Sequence, residues 1–392
     1  MVDFTFYAPT KIYFGKGKQK LVGKIIKDYG FKKIMLHYGK GSIKRSGLYD
    51  EVTESLKENG IEYTEFGGVE PNPKLGPVRR GAEICKNENV ELILAVGGGS
   101  VIDSAKVIAE AAVCDTDPWE FMNKTKIPEK SLPVGVILTL SATGSEMSAS
   151  AVITNEDGGF KRGYTTDFHK PLFSILNPEL TYTVDKFQTA CGIVDIMMHT
   201  IDRYFSETKN VDIQDNISEG LLRSVIKTGK DALENPEDYE ARANLMWAGS
   251  LSHNDITGAG REWFFPCHQL EHEISGRYDF VAHGAGLAVV FPAWAKYVYK
   301  SAVERFCRFA VNVWNIDRNL DAPEKTALEG IYACENYFKS IGMPVRLNEL
   351  GIGDEAFDEM AEKCTFFGKR VIKPFIDLDK EKIKEVYKLM LD

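Results

Sequence analysis

Residues 91–106 read ELILAVGGGSVIDSAK, and this stretch decides the fold. Glu91 to Val96 is an apolar run too short for a helix and suited to a strand buried on both faces. Gly97, Gly98 and Gly99 interrupt it, and from Val101 to Ala112 the apolar residues recur at helical spacing. A buried strand passing through glycines into a helix is the core of a βα unit. The glycines allow a sharp turn and let an anion approach main-chain N–H groups. The helix start adds free donors and a partial positive charge. Gly97, Gly98, Gly99 and Ser100 are therefore candidates for holding a pyrophosphate, although the turn is not the GxGxxG fingerprint. A second reading stays open, in which Ser100-x-x-Asp103 is a capping box that needs no ligand.

Outward from this unit the same rhythm repeats. Lys33 to Tyr38 reads as a strand closed by Gly39-Lys40-Gly41-Ser42, Leu48 to Asn59 as a helix, and Ile61 to Phe66 as a strand. A helix ending near Asn87 leads into the central strand, and Val134 to Thr139 is the next strand. Strands alternating with helices predict a parallel sheet covered on both faces. From Lys186 onward the periodicity is that of helices, with breaks expected at Gly258-Ala259-Gly260, Gly276 to Asp279, Pro292 and Pro344. The 392 residues are too many for one core. The reading is an α/β domain over residues 1–180 followed by an all-helical domain over 181–392, with the boundary near Asn177-Pro178.

Acidic and basic residues are interleaved, and the formal charge is −9. That balance excludes the basic stripe a nucleic-acid partner requires. No apolar run reaches the length of a membrane span, and the N-terminal MVDFTFYAPTKIYFG lacks a basic-then-apolar leader. Seven widely spaced cysteines without a CxxC pair read as reduced thiols, so a cytoplasmic enzyme is expected.

Histidine placement carries the chemistry. Asp195 and His199 are four apart in VDIMMH, and His268 and His272 repeat the spacing in CHQLEH, so each pair shares one helix face. His283 follows in AHGAG. One carboxylate and several imidazoles make a sound ligand set for a first-row metal. Five candidates exceed what one ion needs, so one histidine is free for another task. His268 to His272 also fits the H-x-x-E-H motif of inverted zinc proteases, with Glu271 as base, but that reading leaves the glycine turn and Asp195 unexplained. Thr139, Thr143 and Ser145, in TLSATGSE, form a second polar turn after a strand, either a coenzyme contact or a plain Ser/Thr loop. Trp263, Phe264 and Phe265 precede His268 as apolar pocket walls or core aromatics.

Together GGGSVIDSAK, SATGSE, GIVDIMMH, HQLEH and AHG resemble, in order and spacing, the iron-containing (group III) alcohol dehydrogenases. The similarity runs from PTKIYFG to at least Val371. YGKGSIKRSGLYDEV, GVEPNP and LTLSATGSEM resemble most the branch of butanol dehydrogenases and NADPH-dependent aldehyde reductases. The resemblance implies a dehydroquinate synthase-like architecture and interconversion of primary alcohols and aldehydes with NAD(P). It implies one divalent metal, Fe²⁺ or Zn²⁺, on Asp195, His199, His268 and His283. His272 falls on a family histidine near the metal that is not one of its four ligands, a candidate to relay the proton. Gly97 to Ser100, Asp103, Thr139, Thr143, Ser145 and Lys161 match coenzyme contacts. Leu138-Thr139-Leu140 and Ser148 depart from the family's usual Pro-Thr-Thr and Asn. A homodimer is the family expectation, through an N-terminal strand at Phe4 to Tyr7. The alternative activity is that of a dehydroquinate synthase-like lyase, which requires basic residues around a substrate phosphate; Ala259 to Gly286 supplies only Arg261 and Arg277.

Coenzyme choice is read from the turn after Tyr38. An acidic residue there would bind a ribose 2′-OH and disfavour a 2′-phosphate. Instead Gly39, Gly41 and Ser42 offer donors, with Lys44 and Arg45 close behind, so NADP(H) is expected over NAD(H).

Overall fold

The computed structural model describes residues 1–391. Among the described residues there are eight strands: β1 (Lys11–Phe14), β2 (Lys33–Gly39), β3 (Glu62–Val69), β4 (Leu92–Gly97), β5 (Val134–Leu138), β6 (Ser150–Asn155), β7 (Phe160–Thr165) and β8 (Phe173–Leu176). Six form one parallel sheet in the order β1-β8-β5-β4-β2-β3, and β6 and β7 pair as an antiparallel hairpin. The helices of this half are α1 (Val22–Asp28), α2 (Ser42–Arg45), α3 (Leu48–Glu58), α4 (Leu75–Glu88), α5 (Gly99–Ala111) and α6 (Pro118–Met122).

Strand alternation sorts the sheet's side chains into two cores. Ile34, Leu36, Leu92, Leu94 and Val96 pack on one face with Ile25, Ile26, Val52 and Leu56 of α1 and α3. Met35, Ile93, Ala95, Val136 and Leu138 pack on the other with Val78, Ile102, Ala105 and Ile108 of α4 and α5. Because both faces are covered, the central strands read as unbroken apolar runs.

The second half contains α7 (Lys186–Tyr204), α8 (Asp212–Glu234), α9 (Tyr239–His253), α10 (Pro266–Arg277), α11 (His283–Val298), α12 (Val303–Trp314), α13 (Pro323–Ser340), α14 (Phe357–Cys364) and α15 (Lys380–Leu389). By contact the chain groups into two compact units. One comprises Tyr7–Val184 and Pro236–Ser250; the other comprises Met1–Phe6, Asp185–Asn235 and the chain from Leu251 onward. The division falls inside α9.

Two local expectations are corrected. Pro292 does not break the chain: it lies inside α11. Proline forgoes one main-chain hydrogen bond, but Phe291, Pro292 and Trp294 are all fully or almost fully buried, and that packing carries the helix past it. Phe4 to Tyr7 is not a strand. Its start is tied down instead, Val2 N–H donating to the Gly260 carbonyl at 2.8 Å and the Met1 ammonium to the Lys209 carbonyl at 2.9 Å. A strand needs a ladder partner, and no strand of the described residues pairs with this segment.

Candidate active site

The glycine turn lies where strand order reverses. The chain leaves β2 outward to β3 and returns on the other side of β2 as β4, so β2 and β4 are neighbours with diverging connections. In open α/β sheets, ligands bind at the carboxyl ends of such strands. Tyr38 pairs with Val96, which sets Gly39 next to Gly97 and brings both glycine turns to one place. Thr139, just past β5, donates its N–H to the Gly97 carbonyl at 3.0 Å.

Helix α5 starts at Gly99 with Gly98 as its N-cap, and no side chain caps it. The capping-box reading is therefore corrected. Asp103 turns away from the helix start: Oδ1 accepts from Ser145 Oγ at 2.6 Å and Oδ2 from the Val152 N–H at 2.9 Å. Those bonds hold a carboxyl that cannot also reach back to Ser100. A Cβ on Gly99 would lie 2.4 Å from the Thr143 side chain, and one on Gly98 would lie 3.2 Å from Leu140. Main chain is thus bare at an uncapped helix start, the environment a pyrophosphate requires. Gly41, with φ 139°, is the N-cap of α2, and Ser42 is that helix's first residue. Lys161 is buried in β7, opposite Thr154.

The metal candidates come from three helices of the other unit. Asp195 and His199 lie one turn apart on α7, His268 on the first turn of α10, and His283 at the start of α11. Asp195, His199 and His268 each offer a ligand atom, all within 4.8 Å of one another. Asp195 Oδ1 lies 3.3 Å from His199 Nδ1, 3.7 Å from His268 Nε2 and 3.8 Å from His283 Nε2. Asp195 Oδ1, His199 Nδ1 and His268 Nε2 are buried without a hydrogen-bond partner. Convergent buried polar atoms without partners are costly, and a cation among them removes that cost. The donor set fits a first-row divalent metal. Burial would raise the Asp195 carboxyl, but His199, His268 and His283 outweigh it and hold the group below the usual carboxylate range, so it is ionised.

Further residues, which local spacing did not single out for this role, orient these ligands. Asp202 Oδ2 accepts from His268 Nδ1 at 2.6 Å, and the Asp202 carboxylate also takes the N–H groups of Cys267 and His268. Glu271 pairs with His283 Nδ1. In both rings the Nδ1 bond leaves Nε2 aimed at Asp195, the carboxylate–histidine arrangement of metal sites. Glu271 therefore serves His283 and not the protease role. His253 packs against His199, with ring centroids 4.1 Å apart and the ring planes tilted by 47°. Asp202 had a local signal, since it lies seven residues after Asp195 on the same helix face; His253 had none.

His272, one turn after His268, groups with Glu271 and His283 and is half-buried. Phe265, in the left-handed region at φ 51°, presents its ring to His199, His253 and His268. Trp263 and Phe265 also flank the buried Arg203 guanidinium.

Comparison with known proteins adds the following. Residues 9–178 match the family described as "Iron-containing alcohol dehydrogenase", and residues 189–391 match "Fe-containing alcohol dehydrogenase family, C-terminal". The chain is 45% identical over 389 residues to NADH-dependent butanol dehydrogenase A of Clostridium acetobutylicum, covering 99% of each. It is 34% identical to the NADPH-dependent aldehyde reductase YqhD of Escherichia coli, covering 99% of each. The crystal structure of NADH-dependent butanol dehydrogenase A from Thermotoga maritima superposes with a TM-score of 0.96 at 40% identity, covering 100% of this chain and 99% of that one.

Proposed function

Because the chain belongs to the iron-containing alcohol dehydrogenase family, we propose that Asp195, His199, His268 and His283 hold its divalent metal and Gly97 to Ser100 its dinucleotide. The protein is an NAD(P)-dependent oxidoreductase that interconverts alcohols and aldehydes, with a dehydroquinate synthase-like fold. The observation that carries the site assignment is the trio of partnerless buried atoms on Asp195, His199 and His268.

When bound, a divalent cation would supply a Lewis acid for the carbonyl or alcohol oxygen, and NAD(P) would supply the hydride acceptor or donor. The chain's own residues do the rest. Asp202 and Glu271 fix the rings of His268 and His283 through Nδ1. Phe265 gives the site an apolar wall suited to a butanal-like chain. His272 carries on a ring nitrogen the proton that alcohol loses and aldehyde gains. Thr139, Thr143 and Ser145 line the coenzyme path, with Lys161 a further contact and Asp103 a support for Ser145. Gly39, Gly41 and Ser42 face the adenosine end, by analogy with other sheets of this kind.

NAD(H) has more support here than the NADP(H) expected from Gly39 to Arg45. Lys40 pairs with Glu70 at 2.6 Å and Lys44 approaches Glu65 at 3.6 Å, so both positive charges are already countered. Relatives at 45% identity carry NADH-dependent names.

The lyase alternative is not favoured. Arg261 donates to Asp215 and to the Arg203 and Tyr204 carbonyls, and Arg277 lies against Glu359, so neither is held ready for a phosphate.

No helix among the described residues is long and apolar enough to cross a membrane. The cysteines carry free thiols, which supports a cytoplasmic setting. Exposed Phe4, Phe6 and Tyr7 support a homodimer, which light scattering on the purified protein checks.

The test follows oxidation of NADH or NADPH with butanal by chelator-stripped protein before and after Fe²⁺ or Zn²⁺. Metal-restored oxidation is expected. Equal turnover by the stripped protein refutes the metal role, and activity with NADPH alone refutes the coenzyme preference.

A further inference from the structure

Helix α5 bears ionisable side chains on one face at Asp103, Lys106 and Glu110, and the chemistry described above makes no use of Lys106. That residue is fully buried. Its Nζ donates to Ser145 Oγ at 2.9 Å, to the Ser148 carbonyl at 3.0 Å and to the Ser150 carbonyl at 2.9 Å, with Ser148 Oγ at 3.4 Å. A buried ammonium is tolerated only when its donors are used, and these acceptors match its three protons.

They lie on the stretch that follows β5 and ends at Ser150, the first residue of β6. Ser145 Oγ donates its own hydrogen bond to Asp103, whose other oxygen holds the first half of β6 through the Val152 N–H. The segment is thereby fastened from Ser145 to Val152 onto the helix whose first turn is Gly99 and Ser100. Thr143, on the same segment, packs against Gly99.

We propose that Lys106 is a positioning residue for the coenzyme, its ammonium fixing the 143–150 segment to α5 so that Thr143, Ser145 and the glycine turn form one preformed surface. The proposal rests on the reading that the dinucleotide lies on that turn. Packing alone does not require a lysine here, since a methionine would fill the volume. What only the ammonium does is hold two carbonyls and a hydroxyl of one loop at once.

The charged groups around it are Asp103 and Glu110 on α5 and Glu146 on the segment, with His169 beyond in contact with Glu110. Burial pushes the Lys106 ammonium down to about 8, against the pull of those carboxylates. Above that pH the amine has two protons for three acceptors, so the fastening loosens.

Lys106→Met, Lys106→Gln and Gly99→Ala are compared with wild type for NADH dissociation constant, butanal KM, metal content and melting temperature. At about pH 7, Lys106→Met is expected to weaken NADH binding about tenfold or more, a misplacement effect, and Lys106→Gln less, because its amide retains two donors. Butanal KM and metal content stay within about twofold, since Lys106 touches neither. Wild-type affinity falls between about pH 7 and pH 9, and Lys106→Gln loses that dependence. Unchanged NADH affinity in Lys106→Met overturns the proposal even if its melting temperature falls, because the lysine then only stabilises the fold. Should that variant not fold, the same pH slope in Lys106→Gln and wild type overturns it. Unchanged affinity in Gly99→Ala, whose new methyl meets Thr143, refutes the underlying placement of the dinucleotide and the proposal with it. Weakening in Gly99→Ala but not in Lys106→Met refutes the lysine's role alone.

Discussion

At the scale of single residues, Asp202 separates holding a metal from orienting its ligands. It reaches His268 Nδ1 and two N–H groups at the start of α10. Asp202→Asn keeps the shape but removes the charge and replaces one of two accepting oxygens with a donor NH2, and metal affinity is expected to fall about 10- to 100-fold. Chelator competition on the purified variant measures this, and undiminished affinity would show that Asp202 only caps α10. Glu70 addresses the other end of the chemistry. Its ion pair with Lys40 is exposed, so the effect is modest: Glu70→Gln is expected to raise the NADPH-to-NADH ratio of kcat/KM about threefold. An unchanged ratio would mean that Lys40 does not face the coenzyme. Legibility at this scale followed sequence distance. Asp195 with His199, and His268 with His272, announced themselves by helical spacing. Glu271 sat inside a motif that suggested the wrong partner, because the residue it orients, His283, lies beyond a loop. His253 packs against His199 from another helix, and no local pattern records such an approach.

Elements bring the ligands to a common point, and one glycine sets how closely two of them meet. A Cβ on Gly284 would lie 2.1 Å from the Cys191 carbonyl oxygen, so the start of α11 rests on the main chain of α7. His283 precedes Gly284, and Asp195 lies one turn after Cys191. Gly284→Ala must therefore separate the two helices where they carry ligands. The expected result is a loss of about 1–3 kcal/mol of stability or more, together with lower metal content at equal protein concentration. A variant with a lower melting temperature and full metal content would mean that the helices part without moving the ligands. The central strands were legible because burial on both faces demands unbroken apolar runs, as in Leu92–Gly97. The hairpin β6–β7 was not: SAVITN and FKRGYT mix polar and apolar letters, because the hairpin offers α5 only part of its surface. β1 and β8 span only four residues each, too few for alternation to declare itself. Pro292 misled for the opposite reason, since surrounding burial overrode a local rule.

Over the whole molecule, acid should weaken the fold through a histidine outside the active site. His37 is fully buried in β2, with Nδ1 2.7 Å from the Phe66 carbonyl on β3 and Nε2 3.0 Å from Ser104 Oγ on α5. A carbonyl only accepts, so Nδ1 carries the proton, and Nε2 of the neutral ring accepts a hydrogen bond from the Ser104 hydroxyl. A second ring proton would face that hydroxyl in the dry centre of the sheet. Burial therefore depresses the imidazolium, to about 4, although the Phe66 bond opposes the shift. In the unfolded chain the ring titrates near 6.5. Between these values the unfolded state binds the proton and the folded state does not, so stability rises with pH across the window and is lost as pH falls through it. The full contribution is about 3 kcal/mol, at roughly 1.4 kcal/mol per unit of displacement. Wild type is expected to lose most of that between about pH 7 and pH 4.5, read as a fall in urea midpoint. His37→Gln places a neutral amide between the same two partners and removes the titration, so its midpoint should fall less over the same interval. Equal falls in the two proteins would show that the acid sensitivity does not reside in His37.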